Sequence, residues 1–169
     1  QTHLPILLKG VQTWEDAVQA YEMGLAGVVL SNHGGRQLDF ARSGVEVLEE
    51  VMRELRKRGS FPNPAFQVMV DGGFRRGTDI LKAIAMGATA VGIGRPFLYA
   101  YSAYGVDGVI HAINLLRDEL EMNMRLIGAR SIEELVPSMV DLSALHNHTG
   151  AVFPKQDQSV LDFMEKSRL

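Results

Sequence analysis

Four short apolar runs, each followed by a helix-patterned stretch, constrain this chain more than any other feature. They are Leu4–Leu8, Gly27–Leu30, Phe66–Val70 and Ala90–Ile93. Nearly continuous apolar runs, rather than alternating ones, mark a parallel sheet covered by helices. In such a fold the carboxyl ends of the strands share one rim, and ligands bind there. The residues that follow the runs are Lys9, then Ser31-Asn32-His33-Gly34-Gly35-Arg36, then Asp71-Gly72-Gly73-Phe74-Arg75-Arg76-Gly77, then Gly94-Arg95-Pro96. The pattern therefore predicts one site that gathers cations, a histidine and glycine turns.

An internal repeat supports the same reading. Ala20-Tyr21-Glu22-Met23-Gly24 recurs as Ala83-Ile84-Ala85-Met86-Gly87, at an offset of 63 (83 − 20), which also sets Val28 on Val91 and Asp16 on Asp79. Each copy reads strand, polar turn, helix, Met-Gly, strand, so two copies give four βα units. The glycine after methionine suits a left-handed helix end. Thr13-Trp14-Glu15-Asp16 and Ser43-Gly44-Val45-Glu46 resemble capping boxes, the second opening a helix over 45–57. Thr78 is expected to cap a helix over 79–86, and Pro96 to sit in the first turn of a helix over 97–103. A long helix is expected over 106–127, ended by Gly128, and a short one from Ser131 to Pro137. Residues 1–145 form the domain; 146–169 read as an extended tail, with a turn of helix near 160–164.

Two architectures fit: an open doubly wound sheet, or half of a (β/α)8 barrel, whose whole takes about 250 residues. The start at Gln1-Thr2-His3, straight into a strand with no methionine, reads as a piece of a longer polypeptide and favours the half-barrel. If the absent half comes first, these are strands five to eight. The phosphate-binding loops of such barrels, after strands seven and eight, would then be Asp71–Gly77 and Gly94–Arg95. The 169 residues suffice for one domain with a real core, and a net charge of −3 with no basic block argues against nucleic acid or an anionic membrane surface as partner. Absence of cysteine excludes disulfides but leaves the compartment open. No apolar run approaches the roughly 20 residues of a spanning helix.

Residue chemistry narrows the site. Gly72, Gly73 and Gly94 let backbone N–H groups approach an anion closely, and Arg75 and Arg95 supply forked donors matched to phosphate. Tight turns with solvated arginines are the bland alternative. Arg76 is read as the surface arginine of its pair. Lys9 would point into the rim and could hold an anionic ring or enolate; otherwise it is a snorkelling lysine. His33 has the side chain best suited to a general base near neutral pH, and Arg36, three places on, could clamp a carboxylate. The alternative is a histidine bonding its own loop. Asp39 caps or bridges locally. His3, His111, His146 and His148 form no ligand pattern, so no metal site is expected. Met122 and Met124 are read as packing.

The chain resembles the FMN-dependent α-hydroxy-acid dehydrogenase/oxidase family from about Leu4 to Leu145. The likeness rests on Leu-Pro-Ile-Leu-Leu-Lys-Gly (4–10), Ser-Asn-His-Gly-Gly-Arg-Gln-Leu-Asp (31–39), Asp-Gly-Gly-Phe-Arg-Arg-Gly-Thr-Asp (71–79) and Gly-Ile-Gly-Arg-Pro (92–96). Further likeness at 96–100 and 117–122 points to its flavocytochrome branch. The resemblance implies a (β/α)8 barrel holding FMN. Lys9 would lie near the flavin N1–O2 edge, and Ser31 would contact the ring. His33 would take the substrate proton and Arg36 would grip the carboxylate. Asp71, Gly72, Gly73, Phe74, Arg75, Gly94 and Arg95 would bind the ribityl chain and phosphate. It further implies oxidation of an L-2-hydroxy acid (L-lactate first, glycolate or mandelate as alternatives), with electrons passing to haem and cytochrome c or, in the oxidase members, to oxygen. The family's histidine-orienting aspartate, its substrate-binding tyrosines and any haem domain would lie in an upstream part, so this chain alone is expected to be incomplete. The partners implied are that N-terminal half-barrel and other copies in a tetramer, which the tail would embrace. The compartment implied is the mitochondrial intermembrane space, with peroxisome or cytoplasm as alternatives. A non-enzymatic rival is an independent half-barrel module that binds a phosphate ligand.

Overall fold

The computed structural model describes residues 3–145. Four parallel strands form one sheet: β1 (Leu7–Val11), β2 (Gly27–Leu30), β3 (Gln67–Asp71) and β4 (Ala90–Gly92), in the spatial order β1-β2-β3-β4. Between and after them run α1 (Trp14–Glu22), α2 (Gly44–Lys57), α3 (Gly77–Met86) and α4 (Arg95–Ile127). Among the described residues the strand order follows the chain without reversal, with no topological switch point of the doubly wound kind.

Burial separates the two faces of the sheet. Val28, Leu30, Val68 and Val70 are fully buried against the helices, joined by Val47, Leu48, Val51 and Leu55 of α2. Their neighbours Val29 and Met69, on the opposite face, are only half-buried. Parallel sheets are normally covered on both faces. Here, among the described residues, helices cover one face, and both edge strands lack an outer neighbour. Leu4, Ile6, Leu7 and Leu8, at the β1 edge, are all exposed.

The caps explain where the helices begin. Thr13 Oγ1 accepts from the Asp16 amide, and Ser43 and Glu46 form a reciprocal capping box at α2. Replacing Ser43 by Ala is expected to cost about 1 kcal/mol in chemical denaturation; an unchanged midpoint would show that Glu46 alone holds this end. Three expectations need correction. β1 begins three residues later than the expected run, which puts Lys9 inside the strand; the register slips between Lys9 and Val11 around Gly10. Thr78 does not cap α3: the helix starts at Gly77, and the Asp79 carboxylate reaches back to the Arg75 and Arg76 amides. The two helices expected over 97–103 and 106–127 are present as the two arms of α4, which meet at non-helical Gly105 (φ 60°, ψ −144°). The short helix expected after Ser131 is a pair of 3-10 turns, Ile132–Glu134 and Pro137–Met139, because Glu134 folds back onto Arg130 and Pro137 opens the second turn. The expected tail lies outside the described residues. Among those residues no helix is long and apolar enough to cross a membrane, and no three metal-ligating side chains cluster.

Candidate active site

The carboxyl ends of all four strands open onto one cavity of about 880 Å³. Lys9, His33, Arg36, Asp71, Gly72, Gly73, Phe74, Arg75, Gly94 and Arg95 all border it. Ser31 does not: it is buried beneath, 2% exposed. Its hydroxyl accepts from Lys9 Nζ at 2.9 Å and from the His33 amide at 3.0 Å, so it ties the lysine to the histidine turn.

Lys9 is not a loose surface cation. Its ammonium also lies 2.9 Å from Asp71 Oδ2. Register explains this, because Lys9, Val29 and Met69 share one row across the sheet and Asp71 lies one row further along the same face. The other carboxylate oxygen, Asp71 Oδ1, is buried without a hydrogen-bond partner. An orphaned buried acceptor of this kind is costly unless a ligand donor reaches it.

His33 stands in the left-handed region at φ 58°. Such backbone is uncommon outside glycine, although histidine is enriched there, and the turn around it is over-determined. Asn32 Oδ1 accepts from the Gly35 amide at 3.1 Å, and Arg95 Nη2 donates to the Gly34 carbonyl at 2.5 Å. The result exposes both the His33 ring and Arg36 to the cavity. No carboxylate among the described residues pairs with His33.

The two glycine-arginine corners differ from each other. At the first, Gly72 and Gly73 adopt φ values of 87° and 90°, backbone that glycine takes without steric cost. A Cβ on Gly73 or Gly94 would meet no atom within 4 Å and would fill the open cradle. Arg75 has no side-chain partner among the described residues. Arg76 is held instead by Glu119 of α4, at 2.8 Å and 2.5 Å from Nε and Nη2. The hydrogen bond from Arg76, and then one from the Gly77 amide, hold the Glu119 carboxyl below the usual glutamate range, and the hydrogen bond and charge of Glu119 raise the Arg76 guanidinium. The folded value of Glu119 lies below the unfolded one. Its contribution to stability is therefore complete above the ordinary range and is lost as pH falls through the depressed value. The Phe74 ring packs into the core at 3% exposure, leaving its backbone to the cavity. Asp39 caps the Phe40 amide, a local role.

Sequence reasoning passed over Leu98 and Tyr99, which border the cavity from the first turns of α4, and Glu119. Helical spacing from Pro96 could have placed the first two. Nothing in the sequence links Glu119 to a turn 42 residues away.

Comparison with known proteins decides the lineage. The model of the FMN-dependent dehydrogenase family matches residues 1–142. The chain belongs to the FMN-dependent dehydrogenase family. It is 59% identical over 146 residues to an L-lactate dehydrogenase (cytochrome) of Wickerhamomyces anomalus, covering 86% of this chain and 25% of that protein. Against a peroxisomal (S)-2-hydroxyacid oxidase of Arabidopsis thaliana it is 48% identical over 139 residues, 82% of this chain and 36% of that protein. A solved structure of a flavocytochrome b2 variant with sulfite bound superposes with a TM-score of 0.83 at 57% identity, covering 92% of this chain and 39% of that one. This FMN-dependent dehydrogenase chain thus spans about a quarter to two-fifths of the relatives it matches. Its α/β fold with a parallel sheet is that of the flavocytochrome b2 flavin domain.

Proposed function

We propose that this chain forms strands five to eight of a (β/α)8 barrel that binds FMN and oxidises an L-2-hydroxy acid, L-lactate first, to the 2-oxo acid. The observation that carries the reading is the convergence of Lys9, His33, Arg36 and both glycine-arginine corners on one cavity at the strand ends. The unreversed strand order, the half-covered sheet face and the two open edges support a half-barrel whose other half covers them. In this reading residues 1–145 are the half-barrel and 146–169 a tail that engages neighbouring copies of a tetramer.

The residues present fit FMN. Gly73, Arg75, Gly94 and Arg95 would hold its phosphate, and the orphaned Asp71 Oδ1 would accept from a ribityl hydroxyl. Lys9 would meet the N1–O2 edge of the ring. Ser31 would act through Lys9, which it already bonds. When bound, FMN supplies the two-electron sink that no side chain offers. The protein's part is acid–base and positional. His33 Nε2 or Nδ1 would accept a proton from the 2-hydroxy acid, and Arg36 would hold the substrate carboxylate in two parallel hydrogen bonds. The partner carboxylate of His33 would come from the upstream half.

L-lactate dehydrogenases (cytochrome) at 57–59% identity, against 48% for the peroxisomal oxidase, favour haem and cytochrome c over oxygen as the acceptor, and with them the mitochondrial intermembrane space. Steady-state assays on the complete polypeptide would test this. L-lactate should reduce cytochrome c without stoichiometric peroxide; peroxide formation would point to an oxidase, and faster turnover of glycolate or mandelate would change the substrate. A compact monomer of residues 1–169 that binds FMN would support the non-enzymatic module instead.

A further inference from the structure

We propose that Glu119, on α4, is a positioning residue that shapes the first glycine-arginine corner to take a phosphate dianion. The proposal rests on the reading that this corner holds the phosphate of FMN. Three consecutive amides at the start of α3 would ordinarily offer themselves to an anion. Here all three are occupied: Asp79 Oδ2 accepts from Arg75 and Arg76, both at 3.0 Å, and Glu119 Oε2 accepts from Gly77 at 2.7 Å. The three amides that lead into α3 are thereby committed within the protein. The corner's donors that remain uncommitted among the described residues include the Gly73 and Phe74 amides and the Arg75 guanidinium, all bordering the cavity.

Glu119 also settles which arginine serves the ligand. It holds Arg76 through Nε and Nη2, turning that guanidinium towards α4 and leaving Arg75 alone over the cradle. The pair is internally neutral, so a carboxylate can sit near an anion site without repelling it. Its contribution is geometric, and the geometry is tight. A Cβ on Gly77 would meet Leu120 N at 2.5 Å and Leu116 O at 2.9 Å, so α3 and α4 touch at this point with no room to slide. The same α4 begins at the second corner, Gly94–Arg95. The first arm of α4 therefore starts at one phosphate corner, and its second arm, beyond the break at Gly105, pins the other through Glu119.

Flavin selectivity separates this role from a general structural one. FMN and riboflavin share the ring and ribityl chain and differ in the phosphate. Apoprotein of the complete enzyme is titrated with each, following the quenching of flavin fluorescence. The wild type should prefer FMN. Glu119→Gln keeps the shape but cannot accept from both Arg76 and Gly77 as a carboxylate does. It should weaken FMN about tenfold, the scale of one lost charge-assisted hydrogen bond, while riboflavin affinity stays the same. An unchanged FMN-to-riboflavin ratio would overturn the role of Glu119 while leaving the phosphate site intact. A wild type without preference for FMN would overturn the phosphate reading and this proposal with it. If Glu119→Gln binds neither flavin, Arg76→Lys carries the test, because an ammonium cannot reproduce the forked contact; the same drop in ratio is expected, and an unchanged ratio would overturn the proposal.

Discussion

Replacing His33 by Gln in the complete enzyme should leave FMN bound and cut kcat for L-lactate by about 10²-fold or more, the scale of lost general-base catalysis. Glutamine keeps comparable bulk and a hydrogen-bonding tip but has no basic nitrogen to hold the substrate proton. Flavin should stay because His33 borders the cavity from a turn fixed by other residues: Asn32 on the Gly35 amide, Ser31 on the His33 amide, and Arg95 on the Gly34 carbonyl. Those bonds hold the left-handed backbone at φ 58° whichever side chain it carries. Two measurements check the result, the bound-flavin absorbance and the steady-state rate. Full flavin content with normal turnover would remove His33 from the proton transfer. Loss of flavin would mean that the turn depends on the imidazole itself.

The second large effect is expected at Arg36. Its guanidinium faces the cavity and has no side-chain partner among the described residues, so its forked donors are available to a carboxylate. Arg36→Lys keeps the charge and removes the second parallel hydrogen bond. A charge-assisted hydrogen bond contributes about 1.5–3 kcal/mol, so kcat/KM should fall roughly ten- to a hundredfold. Much of the loss should appear in KM, because the contact exists before and during reaction. The response to lactate concentration decides the matter, and an unaltered curve would sink the assignment. FMN affinity should not change, which distinguishes Arg36 from Arg75 and Arg95.

The architecture was legible because parallel strands that line a double-faced sheet must be apolar along their length, and Val28–Leu30 and Val68–Val70 are. The cavity was legible for the same reason: once strands are parallel, Lys9, His33, Asp71 and Arg95 must share an end. Boundaries were less so. At the β1 edge Pro5 offers no N–H and Leu4 and Ile6 lie exposed, so the apolar run begins before the ladder does. At α3 the sequence offers Thr78 as a cap, but a carboxylate one residue later reaches back to two amides at once. The contacts that escaped sequence reasoning join distant segments. Lys9 meets Asp71 across two strands, and Glu119 meets Gly77 across a helix crossing. The first follows only once strand register is known, and the second depends on how closely α3 and α4 approach at Gly77.

A crystal structure of the complete enzyme with FMN and a 2-oxo acid tests the central claim most directly. The phosphate should lie about 3 Å from the guanidiniums of Arg75 and Arg95, with the ring against Lys9 and the acid between His33 and Arg36. Phosphate bound elsewhere, or a ring on the far side of the sheet from His33, would contradict it.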